Sequence, residues 1–491
     1  MSRPAGTTDW AAAVARYRAA LPPGRSGDVD ISGADRVGLP VVSADHTGPD
    51  GLRYYGFGYG AVPDQARTGG YGELVEELLL HHHLQALAPR RGSYRELRGE
   101  LGADRVADPL TLVLPAGTDY TEDRPLDWLP TVRWRTGEQV WVPAEFCGAE
   151  EADLPWQRPE DRLITVITNG CGAGDTAERA VAHALGEILQ RDGNSTTFRA
   201  MDQGVVIDLD AVTDPVALDA LARLRAAGVE PVAKLASTQF GMTDLHVVGT
   251  DADPDAPPLV VTACGEAAHP DREVALRKAL LEFAAARSRK VFSHAPLDQV
   301  RPLAPDDYWE RELPVPVAPQ EPRALEAMRD WAGRSAAELA ALLEPTVLSR
   351  RSTVAFSALP TVAPGALDDQ LALLADLLAR LADFDVLAIV VPAGDAVAAK
   401  VVVPRTEVET MSYGRIGERG VAKLIERDSP LVGIGPPPRP GTAPVLLPDD
   451  ARDRLGGPAW LDVAAVRRTV GGLYPLYREP ARHALARLVP A

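Results

Sequence analysis

The chain is poor in the residues that make covalent or metal staples. It has three cysteines, Cys147, Cys171 and Cys264, with no CxxC pair and no His spacing of the kind zinc uses. A disulfide framework and a structural zinc site are therefore excluded as the basis of its stability, and the three thiols are expected to be neither paired nor catalytic. No uncharged apolar run reaches the roughly 18 residues a membrane span needs, and no signal peptide opens the sequence, so a cytoplasmic location is expected. Positive charge is short: 51 Lys and Arg stand against 69 Asp and Glu, for a net charge of −18. Without a basic face nothing offsets phosphate repulsion, which argues against nucleic-acid and anionic-membrane partners. Repeats of fixed period and heptads are absent as well, which removes solenoids and coiled coils.

What is present suffices for a large core. With 491 residues, 46% of them hydrophobic, the chain can form one intertwined unit or two to three subdomains. Residues 1–48 are expected to be an N-terminal arm, 49–430 a central catalytic body, and 431–491 a Pro-rich tail containing GIGPPPRPGTAP. Strand-like runs include LRYYGFGYG, LTLVL, TVRWRTG, EQVWVPAEF, LITVIT, LHVVGTDA and PPLVVTACGEA. They alternate with long helical patterns, and several neighbouring strands read as hairpins. The fold class expected is α+β, with mixed or antiparallel sheets.

Three long helices carry charged side chains at helical spacing, each after a strand and a small-residue turn. The first, PDQARTGGYGELVEELL, has Glu73 and Glu76 at i, i+3. The second follows Gly170, Gly172 and Gly174 and has Glu187, Gln190 and Arg191 on one side. The third, DREVALRKALLEFAAARSR, has Lys278 and Glu282 at i, i+4 with Arg287 beyond. Glycines allow close backbone approach to an anion, and a helix N-terminus favours negative charge. Binding a nucleotide triphosphate in an acidic protein requires divalent metal, and Mg²⁺ requires hard oxygen ligands. Glu73, Glu76, Glu187 and Glu282 can supply them, while Arg191, Lys278 and Arg287 can neutralise remaining phosphate charge. Taken singly, each pair is more often a solvated face; their recurrence in one order is the signal. His183 lies one turn before Glu187, within reach of such a site or else a core histidine. His269 is expected to serve turn packing. His81, His82 and His83 point to different sides of a helix and make poor joint ligands.

These segments resemble the YcaO family of ATP-dependent peptide-backbone-activating enzymes. TNGCGAGDTAERAVAHALGEILQRD is similar to its Ser-Asn-Gly, Gly-Gly, Glu-x-x-Glu-Arg-Asp signature. PDQARTGGYGELVEELL and CGEAAHPDREVALRKALLEFAAARSR are similar to its first and third helices, and AKVVVPRTEVE matches near the end of a likeness spanning roughly 50–420. The resemblance implies Glu187, Gln190 and Arg191 as catalytic residues. It implies Gly69, Asn169, Arg191, Lys278, Glu282 and Arg287 as the ATP site, and Glu73, Glu76, Glu187, Gln190 and Glu282 as Mg²⁺ ligands. Departures stand at Tyr59 (a Lys in the family), Gly69 (Ser), Glu77 (Arg), Gln190 (Glu), Lys278 (Arg) and Ala285 (an amide). The chain ends RLVPA rather than in the family's Pro-x-Pro-x-Pro, and EILQRDGNSTTFRAMDQG is similar to divergent members of bottromycin-type pathways.

The resemblance implies attack on a backbone amide of a ribosomally made precursor peptide, phosphorylation of the oxyanion by ATP, and loss of phosphate. The product expected is a thiazoline from Cys. A macrocyclic amidine, a thioamide, or a non-catalytic precursor-binding role for a degenerate member remain alternatives at this point. No ubiquitin-activating-like partner is expected, because no leader-gripping module fits before Leu52 or after 430; a homodimer is allowed.

Overall fold

The strand–helix joints decide the architecture. In the computed structural model, residues 9–49, 51–197, 199–408 and 413–488 are described. They divide into two units: Met1–Val75, Thr197–Asp368 and Gly471–Ala491 form the first, Glu76–Thr196 and Asp369–Val470 the second. The helix Pro63–Ala86 runs through the division.

The first unit holds an antiparallel three-stranded sheet in the order Arg25–Asp30, Val41–Thr47, Arg53–Tyr59. Two segments of the expected N-terminal arm, Arg25–Asp30 and Val41–Thr47, are thus strands of a sheet, and Trp10–Ala20 is a helix. A five-stranded sheet runs in the order Gly265–His269, Thr243–Asp251, Val229–Ser237, Val205–Asp208, Ser352–Ala355. Its neighbours are antiparallel except the last pair, which is parallel. The helix Arg272–His294 packs on it through Leu276, Ala279, Leu280 and Phe283, with Leu245, Val247 and Ala267 from the strands. The second unit holds an antiparallel sheet in the order Arg90–Ser93, Pro125–Arg133, Leu387–Ala393, Ala396–Val402, Cys171–Gly174, with Gln139–Pro143 paired to Pro125–Arg133. The expected tail divides: Val432–Ile434, Ala459–Asp462 and Thr442–Pro444 make a small sheet here, while residues from Gly471 on belong to the first unit. The terminal residues 489–491 and the stretch 409–412 after the AKVVVPRTEV strand lie outside the described residues.

The α+β expectation with antiparallel and mixed sheets holds. Three strand expectations do not. LTLVL contains a short 3₁₀ turn at Pro109–Thr111. LITVIT is irregular, its first N–H (Leu163) captured by the Glu145 carboxylate at 3.0 Å. In PPLVVTACGEA only Gly265–His269 is strand, after a 3₁₀ turn over Pro258–Thr262. Apolar runs of this length cannot by themselves separate a buried strand from a buried turn.

Three joints bring strand backbone onto helix backbone. A Cβ on Gly58 would lie 1.8 Å from the Ala66 carbonyl oxygen, on Gly172 2.3 Å from that of Ala180, and on Gly265 2.2 Å from that of Ala279. Such distances exclude any side chain. Replacing Gly58 by Ala must therefore push the strand off the helix, and we expect a loss of about 1–3 kcal/mol or more, the range of overpacked cores, read from urea denaturation.

The C-terminal segment is pinned to the first unit by His483, fully buried among Phe292, Tyr308 and Trp309. Its Nε2 meets the Tyr308 hydroxyl at 2.9 Å, and its main-chain N–H donates to Ser293 O at 2.8 Å. Burial, then the charges of Arg482, His294, Arg487 and Arg53, pushes its pKa down from 6.5 to about 2. The folded value lies below the unfolded one, so this contribution to stability is complete above pH 6.5 and is lost as pH falls from there towards 2. Urea midpoints should decline on acidification more steeply in the native chain than in His483→Phe, by up to about 1.4 kcal/mol per pH unit. Equal slopes would refute this.

Candidate functional site

Each of the three helices presents a glutamate to an N–H of the strand or turn that precedes it. Phe57 N–H donates to Glu73 Oε2 at 2.6 Å, Gly170 N–H to Glu187 Oε2 at 2.8 Å, and Glu266 N–H to Glu282 Oε2 at 3.3 Å. The glycine joints make these contacts possible, because the helix lies close enough for its side chains to reach strand backbone. Gly170 takes φ +84° and leaves no room for a Cβ, which would meet Val401 O at 2.5 Å. Gly172 and Gly174 serve the strand–helix contact. Gly69 likewise packs against Gly58, whose Cα lies 3.0 Å from where its Cβ would stand. The N-terminus of the second helix is capped by Thr176, whose hydroxyl accepts from Arg179 N–H at 3.2 Å.

In the second unit Glu187 Oε1 stands 3.5 Å from Arg191, and Glu76 Oε1 stands 3.3 Å from His183 Nδ1. His183 thus sits on the exposed side of its helix rather than in the core. Gln190 is half-buried on that helix. Asn169 donates to Val408 O, and its own carbonyl receives Lys400 Nζ at 2.8 Å. A small cavity of about 30 Å³ lies beside this turn, walled by Ile164, Ile167, Ile188 and Val403 with Asn169 and Lys400 among its polar groups.

In the first unit the Tyr59 hydroxyl lies 3.3 Å from Glu282 Oε2. Burial, then the charges of Glu282, Glu73 and Glu266, pushes this phenol far above its ordinary pKa, so it stays protonated. Lys278 is exposed. Arg287 does not join Glu282: it is buried, forking onto Asp35 at 2.8 and 2.9 Å and reaching Asp251 at 2.8 Å. Five residues along a helix is about 140° around it, which turns Arg287 to the other side.

Among the described residues no group of three or more His, Cys, Asp or Glu is placed to hold one metal ion. The chemistry of the donors still fits Mg²⁺: they are hard carboxylate oxygens, and an N–H on one oxygen leaves a carboxylate further acceptor capacity.

The cysteines are free thiols. Burial pushes Cys147 and Cys171 up to about 12 and Cys264 well above its ordinary value, which keeps them from acting as thiolates. His269 serves its turn, accepting from Asp271 N–H at 2.9 Å. His81 pairs with buried Asp153 at 2.8 Å.

The sequence reading passed over Asp192, adjacent to Arg191. It is fully buried and accepts from Arg419 at 2.8 Å, Lys423 at 3.0 Å and Glu407 N–H at 2.9 Å. Burial raises its carboxyl, but Lys423, Arg419 and that N–H outweigh burial and hold it below the usual range. Glu407 in turn accepts from Gly417 and Gly420 N–H at 3.0 and 2.7 Å, at the start of the helix Glu418–Glu426. The signal available was its place as the Asp that closes the Glu-x-x-Glu-Arg-Asp likeness, directly after Arg191. Asp192→Asn leaves two cations without their counter-charge, and we expect a loss of about 3–5 kcal/mol by denaturant titration, partly restored by adding Lys423→Met.

Comparison with known proteins adds the following. A family model described as YcaO cyclodehydratase, ATP- and Mg²⁺-binding, matches residues 57–407, more than half of the chain. An uncharacterized protein of Methanothermobacter thermautotrophicus is 28% identical over 265 residues, 53% of this chain and 65% of that protein, so the chain spans just under two-thirds of that relative. A heterocyclase in complex with substrate and cofactor superposes with a TM-score of 0.60 at 17% identity, covering 86% of this chain and 56% of that one. YcaO from Methanopyrus kandleri, bound with AMPPCP and Mg²⁺, superposes with a TM-score of 0.54 at 19% identity, covering 83% and 92%. At these identities the structural likeness establishes the fold.

Proposed function

The chain belongs to the YcaO family, and we propose that it uses Mg-ATP to activate a backbone amide of a ribosomally made precursor peptide, closing a Cys side chain into a thiazoline. The observation that carries this reading is the thrice-repeated contact of a helix glutamate with a strand or turn N–H, all within the matched region. It places carboxylates before chemistry begins, so little reorganisation is needed to accept a cation. Heterocyclases among the structural neighbours support a peptide as the substrate.

Glu73 and Glu282 in the first unit, and Glu76, Glu187 and Gln190 in the second, are the residues whose oxygens are proposed as metal ligands. Arg191 and Lys278 are the cations proposed for the phosphates, with Asn169 and Gly69 at the nucleotide. When bound, Mg-ATP supplies the phosphoryl group that turns an amide oxygen, a poor leaving group, into a good one. The peptide thiol forms the new C–S bond, the amide C–O bond breaks, and the oxygen leaves on phosphate. The protein's part is to orient the peptide carbonyl, exclude water and hold charge. Its own buried thiols take no part.

Purified protein with Mg-ATP and a Cys-containing precursor should give peptide lighter by one water, with phosphate released only when peptide is present. Exchange of oxygen for sulfur would indicate a thioamide, and water loss that leaves the thiol free to alkylate an amidine. Glu187→Gln keeps an acceptor for Gly170 N–H while removing the charge, and should lower peptide-dependent turnover about 100-fold or more. Full activity in that variant would remove Glu187 from the site.

A further inference from the structure

The first unit carries an arginine that the spacing of motifs did not single out. The strand Arg53–Tyr59 lies along the helix Arg272–His294, with Tyr59 at Glu282 and Phe57 at Arg289. The Tyr59 hydroxyl is 3.3 Å from Glu282 Oε2, and the Arg289 guanidinium stands 5.9 Å from the centre of the Phe57 ring. Phe57 is the residue whose N–H holds Glu73. Residues two apart on a strand share a face, and seven residues along a helix return to within about 20° of the same direction. Glu282 and Arg289 therefore meet one face of the strand, while Glu73, whose Cβ lies against the other face at Gly56, reaches the strand at the Phe57 N–H.

Arg289 is anchored loosely. Its nearest acid is Glu479 at 3.8 Å, and Glu479 is already engaged by Lys290 at 2.6 Å and His294 at 3.1 Å. The buried Nε of Arg289 makes no hydrogen bond, while the side chain as a whole remains 42% exposed. Burial opposes its charge, but the Glu479, Glu282 and Glu73 carboxylates more than compensate and keep it ionised. It is thus a planar fork of donors, charged and reaching open space beside two carboxylates suited to a hard cation. The other cations of this helix are placed differently: Arg287 is engaged by Asp35 and Asp251 on another face, and Lys278 is exposed one turn before Glu282.

We propose that Arg289 grips the terminal phosphate of the nucleotide whose metal ion Glu73 and Glu282 hold. Two acidic side chains and a polyphosphate cannot share a space without a cation besides the metal, and a guanidinium fork matches phosphate oxygens in pairs. Glu479 is the positioning residue: held by Lys290 and His294, it steadies Arg289 without occupying its donors. The proposal rests on the ATP-dependent reading above.

The test is binding, read without turnover. Calorimetry in Mg²⁺ compares a non-hydrolysable ATP analogue with AMP on the full chain, native and Arg289→Ala. The variant should lose about 10- to 100-fold for the triphosphate, as expected for a charged hydrogen bond, and AMP should change by less than about 3-fold. Arg289→Lys, which keeps the charge but not the fork, should recover part of the difference and covers the case that the alanine variant fails to fold. Equal weakening of both ligands, or no weakening of either, overturns the proposal. Failure of the native chain to bind the triphosphate at all overturns the ATP-dependent reading instead, which keeps the two apart.

Discussion

Contact between strand backbone and helix backbone, with no side chain between, is the constraint on which the rest depends. It occurs at Gly58, Gly172 and Gly265, each on a different helix. Its consequence is electrostatic. Once the helix lies that close, a glutamate on it reaches an N–H of the strand or turn, and Glu73, Glu187 and Glu282 are each held in this way. The same packing step that buries Ala180, Ala184, Ala275 and Ala279 also positions carboxylates. Small residues on the helix face and glycine on the strand are two halves of one device.

A second theme is the division of charge between framework and chemistry. The acidic chain buries many of its cations against its acids: Arg287 with Asp35 and Asp251, Lys423 and Arg419 with Asp192, Lys290 with Glu479. Buried pairs of this kind lose little when made well and cost much when broken, so they lock elements in place. Asp192 lies next to Arg191, and its anchorage to the helix Glu418–Glu426 fixes the end of the helix that carries Glu187. Family membership over residues 57–407 is consistent with this frame including Glu407, the last residue of the match.

Much was legible in the sequence. The three helices and their order, the strand LRYYGFGYG, the hairpin-like strands of the 125–143 region and the α+β class all follow from periodicity and turn residues. The pairs Glu73–Glu76 and Glu187–Arg191 follow from helical spacing. The short apolar runs LTLVL and LITVIT misled, because their burial comes from neighbours distant in sequence. Glu145, for example, takes the N–H that a ladder at Leu163 would need. Arg287 and Arg289 show the limit for a site: both lie near the end of one helix, and only the strand laid against that helix distinguishes them.

The sequence by itself determined which segments become helices, which family the motifs resemble, and that carboxylates at helical spacing recur on three helices. Local spacing encodes these, and it survives without knowing what packs on what. Only the tertiary structure decided that Gly172 and Gly265 bring strand backbone directly onto helix backbone. It also decided that Arg287 is consumed by Asp35 and Asp251, that Tyr59 stays neutral among acids, and that residues from Gly471 onward join a unit begun at the other end of the chain. Those outcomes depend on partners up to several hundred residues away, and a side chain's charge acts through the distance to its partner, which the order of residues does not contain.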